Sequence, residues 1–204
     1  MGSSYWSDDF YAARAAHRVA TGASAFAYSD SLRNAPAGDR KTHERMNPFG
    51  VRYRESRDSE THPASRAIAV LFDVTGSMGT IPVILQKKLP SLMNLLLQKG
   101  YIAHPQLLFG AIGDATCDRA PLQIGQFESG IEMDEDLGRI YLEGGGGGQK
   151  TESYELAAYF MAAHTALDCF EKRGQKGYLF IIGDEQPYDA AKRREIERVI
   201  GDAP

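Results

Sequence analysis

The chain has 204 residues, of which 43% are hydrophobic and 25% are charged, and its formal net charge is −4. This balance is typical of a globular protein rather than a disordered chain, and the acidic charge argues against a general nucleic-acid or anionic-membrane binder. Two cysteines are too few for a disulfide framework, and the apolar stretches are shorter than a bilayer is thick. We therefore expect a cytoplasmic protein without a membrane partner.

The first 65 residues are predicted to form an N-terminal arm. Apolar residues recur at helical spacing only over 8–20, which predicts one weak helix there. Turn-forming runs at 34–38 and 47–50 follow it, so the rest of the arm is expected to be extended and partly ordered. Residues 66–204 are predicted to form a separate α/β domain.

This domain begins with alternating strand and helix patterns. The continuous apolar run at 67–72 is typical of a strand buried on both faces of a parallel sheet. Residues 81–99 carry leucines on one helical face, and Pro90 is expected to kink this helix or to split it in two. Residues 105–112 and 122–127 are predicted as further strands, and the mixed polarity of the latter indicates an edge position.

The alternation continues in the second half of the domain. Residues 132–139 are predicted as a short helix, and five glycines at 144–148 precede a predicted long helix over 151–170. The apolar run at 178–182 predicts another buried strand, and 189–200 a last helix. Strands that alternate with helices in this way predict a doubly wound, mostly parallel sheet flanked by helices.

Oxygen-bearing side chains directly follow two of the predicted strands. Asp73, Thr75 and Ser77 stand at alternate positions after the first strand, where Gly76 lets the loop curl so that their oxygens converge. Asp184 follows the later strand. The carboxyl ends of parallel strands meet at one edge of the sheet, and Mg²⁺ prefers oxygen ligands. The sequence therefore predicts a divalent-cation site at this edge.

The spacing of Asp73, Thr75 and Ser77 resembles the Asp-x-Ser/Thr-x-Ser signature of the metal-ion-dependent adhesion site in von Willebrand factor A domains. The resemblance extends over about residues 66–200 and implies a Rossmann-like sheet between helices, with Asp184 matching an aspartate after a later strand. It implies bound Mg²⁺, or Mn²⁺, that captures an acidic residue of a partner protein without catalysis. Family members inside cells often act beside AAA+ ATPases, so a partner complex of that kind is implied.

The chain departs from the family pattern in two places. The family sets a threonine, or in some branches an aspartate, after a pair of glycines, whereas here Gln149 follows the glycines and Thr151 comes two residues later. Both are candidate ligands, and Asp114, after the second strand, is a further candidate that supports the site from the same edge. The family sheet also continues beyond the strand before Asp184, so the resemblance implies a C-terminally short domain.

Two alternatives stay open. Residues 144–151 have the spacing of a P-loop, with Lys150 and Thr151 in place and a predicted helix next, and an apolar strand ends in acidic residues at 184–185. This alternative predicts a nucleotide hydrolase, although Gln149 stands where the motif has a glycine. The second alternative is a metal-free structural or assembly protein. The main hypothesis is a metal-dependent binding module that is not an enzyme.

Overall fold

A computed structural model describes residues 5–144 and 150–201 of the chain. The helices are α1 (Asp8–Thr21), α2 (Ala27–Leu32), α3 (Ile81–Gln98), α4 (Glu132–Arg139), α5 (Tyr154–Ala163), α6 (Asp168–Glu171) and α7 (Arg193–Val199). The strands are β1 (Arg54–Ser56), β2 (Arg66–Asp73), β3 (Pro105–Ile112), β4 (Leu122–Ile124), β5 (Thr151–Glu152), β6 (Thr165–Leu167), β7 (Tyr178–Ile182) and β8 (Gln186–Pro187). The helices predicted at 8–20 and 132–139 are confirmed, whereas α7 is shorter than the predicted 189–200.

Four strands form the central sheet in the order β4-β3-β2-β7. β2 pairs in parallel with β3 on one side and with β7 on the other, while β4 pairs antiparallel with β3. β2 and β3 are almost entirely buried, as the apolar run at 67–72 predicted for β2. The edge position of the third predicted strand is confirmed, although this strand ends at Ile124.

Helices cover both faces of the central sheet. Successive side chains of a strand point to opposite faces, so Leu71 packs in a cluster with Phe160 of α5, and Phe72 in a second cluster with Leu89 of α3. The α/β class with a mostly parallel sheet between helices is thereby confirmed. None of the helices in the described ranges combines the length and the apolar character needed to cross a membrane.

Helix α3 runs through Pro90 as one element, so the prediction that this proline could split the helix is wrong. A proline inside a helix removes a backbone hydrogen bond and costs about 3 kcal/mol or more. Leu89 and Met93 lie on the face that packs against the sheet, and both are almost fully buried. Burial of such a side chain contributes about 1.5–3 kcal/mol, so the two together offset the cost of the proline.

The prediction of one long helix over 151–170 is wrong, because this segment forms β5, α5, β6 and α6. β6 pairs in parallel with β1, and the backbone amide of Arg54 donates to the carbonyl oxygen of His164 at 2.8 Å. This pairing draws the β-branched Thr165 into a strand. Phe170, at the end of the predicted helix, is exposed. Since β1 lies far away in the sequence, the local apolar pattern could not reveal the break.

Strand β7 is confirmed as a strand, but the prediction that it is buried is wrong. It lies at an edge of the central sheet, and its residues Tyr178 and Phe180 are 50% and 52% exposed. Among the described residues, no strand pairs with its outer side. An apolar run indicates a strand, but the burial of that strand depends on its neighbours in the folded chain.

The first 65 residues contain more regular structure than an extended arm. α2 and short 3₁₀ turns at 37–39 and 44–46 occupy the part that was expected to be extended. The hydroxyl of Tyr11 in α1 donates to the backbone oxygen of Gln86 in α3 at 2.9 Å. Arg18 forms an ion pair of 2.6 Å with Asp134 of α4. These contacts hold α1 against α3 and α4.

Replacement of Asp58 by asparagine should lower the stability of the chain by about 1–2 kcal/mol. Asp58 accepts hydrogen bonds from Arg173 at 2.7 Å and from the backbone amide of Ser65 at 3.0 Å, which joins the segment after β1 to the segment after α6. The Arg173 guanidinium holds the pKa of this carboxyl well below its usual range. The stabilisation is therefore present above about pH 4 and is lost as the pH falls toward the depressed pKa.

Urea unfolding of the wild type and of Asp58→Asn across acidic pH measures this effect. The two stabilities should differ at neutral pH and converge as the pH falls below about 4. A difference that stays constant across this range would show that the charge on Asp58 does not contribute to stability.

Candidate metal centre

The carboxyl ends of three neighbouring strands meet at one edge of the central sheet. β2 ends at Asp73, which is paired in register with Ile112 of β3, and Asp114 follows two residues later. β7 runs parallel to β2 and ends beside it, and Asp184 follows after one glycine. The three aspartates singled out in the sequence therefore all come from the edge where sites form in parallel α/β sheets.

Asp73, Thr75 and Ser77 converge within the loop after β2. Asp73 Oδ1 accepts hydrogen bonds from the backbone amide of Thr75 at 2.7 Å and from Thr75 Oγ1 at 2.6 Å. Thr75 Oγ1 lies 3.2 Å from Ser77 Oγ. A 3₁₀ turn carries Ser77 and ends at Gly79, whose positive φ of 49° suits a glycine. The loop therefore curls as its glycines predicted.

Ser77 connects this loop to the loop after β7. Its hydroxyl donates to Asp184 Oδ1 at 3.0 Å, and the two residues are 107 positions apart in the chain. Asp73 and Thr75 are buried, whereas Ser77 and Asp184 are exposed. The four side chains thus form one row of adjoining oxygens, in which Thr75 donates to Asp73 and Ser77 donates to Asp184, and we call it the Asp73–Asp184 row. Its first end is buried and its second end is open to solvent.

Tyr154, the first residue of α5, closes the buried end of this row. Its hydroxyl donates to Asp73 Oδ2 at 2.9 Å and accepts from the backbone amide of Glu185 at 3.4 Å. Burial and the nearby Asp73 carboxylate raise the pKa of the Tyr154 hydroxyl, which keeps it a donor. Gly183 makes room for this contact, because a Cβ atom there would overlap the tyrosine hydroxyl. No sequence pattern indicated Tyr154.

The other three predicted site residues have separate positions. Asp114 is buried at the same sheet edge, and its Oδ2 accepts a hydrogen bond from the Tyr188 hydroxyl at 3.0 Å. Thr151 lies in β5, which pairs in parallel with β8 just beyond Asp184. Gln149 lies outside the described residues. The structure therefore brings Asp73, Thr75, Ser77 and Asp184 together in one row and sets Asp114 and Thr151 on adjoining elements.

Glu152 is a buried carboxylate near the centre that the sequence pattern did not indicate. It is 3% exposed, and its Oε2 has no hydrogen-bond partner among the described residues. The backbone amide of the next residue, Ser153, donates to the carbonyl oxygen of Gly113 at 3.2 Å, which holds this segment against the end of β3. Burial, and then the carboxylates of Asp73 and Asp118, raise the pKa of Glu152 to about 8. Only its place soon after the glycine run could have drawn attention to it.

The residues of the Asp73–Asp184 row fit a hard divalent cation. Carboxylate and hydroxyl oxygens suit Mg²⁺ and Mn²⁺, and Mg²⁺ in proteins is usually bound by one or two carboxylates while it keeps several waters. Within residues 5–144 and 150–201, no three His, Cys, Asp or Glu side chains are grouped as a metal site. A cation here would therefore depend on the hydroxyls of Thr75 and Ser77 beside the two aspartates.

The chain as a whole was compared with known proteins. No protein-family model, no curated protein and no solved structure matches the chain. What the centre can do is therefore inferred from its own contacts and charges.

Proposed function

We propose that the chain is a binding module that captures an acidic group of a partner protein through a divalent cation. Asp73, Thr75, Ser77 and Asp184 would hold Mg²⁺ or Mn²⁺, with Thr151 as a further candidate ligand. The bound cation would supply a Lewis-acidic centre for a carboxylate oxygen of the partner. The observation that carries the proposal is the Asp73–Asp184 row, which gathers two carboxylates and two hydroxyls from loops that are distant in the sequence.

The exposure and charge of the row support a protein ligand. Ser77 and Asp184 are exposed, so a partner can reach that end of the row. Two of the four side chains are neutral hydroxyls, so Asp73 and Asp184 only just balance a divalent cation, and the coordination positions that Mg²⁺ usually leaves to water stay open to another carboxylate. The von Willebrand A resemblance implies the same kind of binding. We extend the proposal to a cytoplasmic multi-protein complex, with an AAA+ ATPase as a candidate component.

Titration of the chain with MnCl₂ tests the cation-binding part of this proposal. The electron paramagnetic resonance signal of free Mn²⁺ gives the concentration that remains unbound. We expect a single site per chain that Mg²⁺ competes for and that EDTA empties. A chain that leaves all the Mn²⁺ free would favour the metal-free structural alternative.

The nucleotide-hydrolase alternative gains no support from the described residues around Lys150. Thr151 lies in a strand, and α5 begins at Tyr154, whereas a P-loop sets its lysine and threonine at the start of a helix. The predicted helix start at residue 151 therefore differs from the observed one, while residues 145–149 of the motif lie outside the described residues.

Lys150→Ala should behave like the wild type toward ATP, because we expect neither the wild type nor the variant to bind ATP. Lys150 is exposed, so its truncation should not disturb the fold. Calorimetric titration of both proteins with ATP and Mg²⁺ measures this, and their melting temperatures control for folding. ATP binding by the wild type that disappears in Lys150→Ala would favour the hydrolase.

A further inference from the structure

We infer that Glu152 supports the cation site: its carboxylate attracts the cation, and cation affinity depends on it. This inference rests on the proposed function, because it assigns one more residue to the same centre. Nothing in the Asp-x-Thr-x-Ser spacing pointed to this glutamate, and its assignment comes from its surroundings in the fold.

The first observation is the burial of an unpaired oxygen. Glu152 is almost completely buried, and its Oε2 has no hydrogen-bond partner in the part of the chain that the structure describes. A buried polar atom without a partner costs about 1–3 kcal/mol, and more when it is charged. In native proteins an ordered water, an ion or a ligand satisfies such a group.

The second observation is the charge around this oxygen. The charged groups that act most strongly on Glu152 are all carboxylates, and Asp73 comes first among them, followed by Asp118, Asp114 and Glu185. Carboxylates that share a site repel one another when they are ionised, and a bound cation removes this repulsion. Tyr154, two residues after Glu152, donates to Asp73, the buried anchor of the Asp73–Asp184 row, so the chain carries Glu152 to the same end of the row.

The backbone holds Glu152 in this position from its C-terminal side. Ser153 Oγ accepts a hydrogen bond from the backbone amide of Ala115 at 2.9 Å, and Tyr154 donates to Asp73. The residues after Glu152 are thus tied to the ends of β3 and β2. Glu152 therefore lies between these two strand ends, which carry Asp73 and Asp114.

Glu155, three residues later in α5, provides a matched control. Both of its carboxylate oxygens are also buried without a hydrogen-bond partner among the described residues. The charges that act on Glu155, however, come from Glu195 and Lys192 of the α7 region, not from the candidate centre. A Glu155→Gln variant therefore removes a buried carboxylate of the same kind without removing charge from the site.

Mn²⁺ titration of Glu152→Gln and Glu155→Gln, followed by electron paramagnetic resonance, tests the inference. Loss of a residue that supports a metal site typically weakens binding by about 10- to 100-fold, and we expect a loss in this range for Glu152→Gln. Glu155→Gln should keep the affinity of the wild type. Glu152→Asp, which keeps the charge on a shorter side chain, should have an intermediate affinity.

Melting temperatures separate a role in binding from a role in folding. In EDTA, Glu152→Gln should melt no lower than the wild type. The neutral amide replaces a carboxylate and so removes its repulsion with the surrounding carboxylates. Saturating Mn²⁺ should then raise the melting temperature of the wild type more than that of the variant. If Glu152→Gln binds Mn²⁺ as tightly as the wild type, the inference is wrong and the proposed function stands. If the wild type itself binds no Mn²⁺, the proposed function fails and the assignment of Glu152 fails with it.

Discussion

Asp73→Ala should abolish Mn²⁺ binding to the chain. The carboxylate of Asp73 accepts from Thr75 through Oδ1 and from Tyr154 through Oδ2, so it anchors both the loop after β2 and the start of α5. Removal of a residue that only supports a metal site costs about 10- to 100-fold in affinity. Removal of the buried carboxylate should therefore cost more. The loss is measured by the concentration of free Mn²⁺ at equilibrium.

The alanine variant will also be less stable, because the groups that donate to Asp73 lose their acceptor. Each buried donor left without an acceptor costs about 1–3 kcal/mol of stability. Asp73→Asn separates charge from folding, since the asparagine keeps the size of the side chain and one acceptor oxygen. It should melt above the alanine variant and bind Mn²⁺ poorly. Asp189→Ala removes an exposed aspartate five residues after Asp184 and should leave the affinity unchanged. Mn²⁺ binding by Asp73→Asn at wild-type affinity would rule out Asp73 as a ligand.

Gly183→Ala should destabilise the chain and weaken its cation site together. The added Cβ atom would overlap the hydroxyl and ring of Tyr154, which is buried between Asp73 and the backbone of Glu185. Overpacking of a buried position costs about 1–3 kcal/mol. The overlapped hydroxyl is the atom that donates to Asp73, so the same substitution should disturb the buried end of the Asp73–Asp184 row.

Chemical unfolding of Gly183→Ala measures the first effect, and Mn²⁺ titration measures the second. Gly38→Ala is the matched control, because a Cβ atom at Gly38 meets no heavy atom within 4 Å and the residue has no positive φ. Tyr154→Phe removes the hydroxyl oxygen, which the added Cβ atom overlaps most. The double variant with Gly183→Ala should therefore lose less stability than the sum of the two single losses. Full additivity would show that Gly183 and Tyr154 do not interact as described.

The elements that the sequence predicted well are those whose pattern is local and strong. The apolar runs of β2 and β3 and the helical spacing of α1 needed no information from distant residues. The exposure of β7 and the break between α5 and α6 depend on which strands pair, and β6 finds its partner at Arg54–Ser56, far away in the chain. Pro90 stays inside α3 because the burial of neighbouring side chains offsets the free-energy cost of a proline in a helix. A rule based on the local sequence does not include this burial.

The same distinction applies to the candidate centre. Asp73, Thr75 and Ser77 were predictable because their spacing in a single loop has a chemical meaning, and Asp184 was predictable because it follows a strand. Tyr154 and Glu152 were not predictable, since a tyrosine or a glutamate near a helix start has many ordinary roles. Only the fold shows that Tyr154 contacts Asp73 and that Glu152 is buried among carboxylates.

The most direct test of the account is whether the Mn²⁺-loaded chain binds a carboxylate from outside. Water-proton relaxation reports the waters on protein-bound Mn²⁺, and a carboxylate that displaces one of them lowers the relaxation rate. The loaded chain is titrated with a short glutamate-containing peptide and with the same peptide carrying glutamine instead. The account predicts that only the glutamate peptide lowers the rate, and that EDTA abolishes the difference. An equal response to both peptides, or no response to either, would contradict cation-dependent capture of an acidic group.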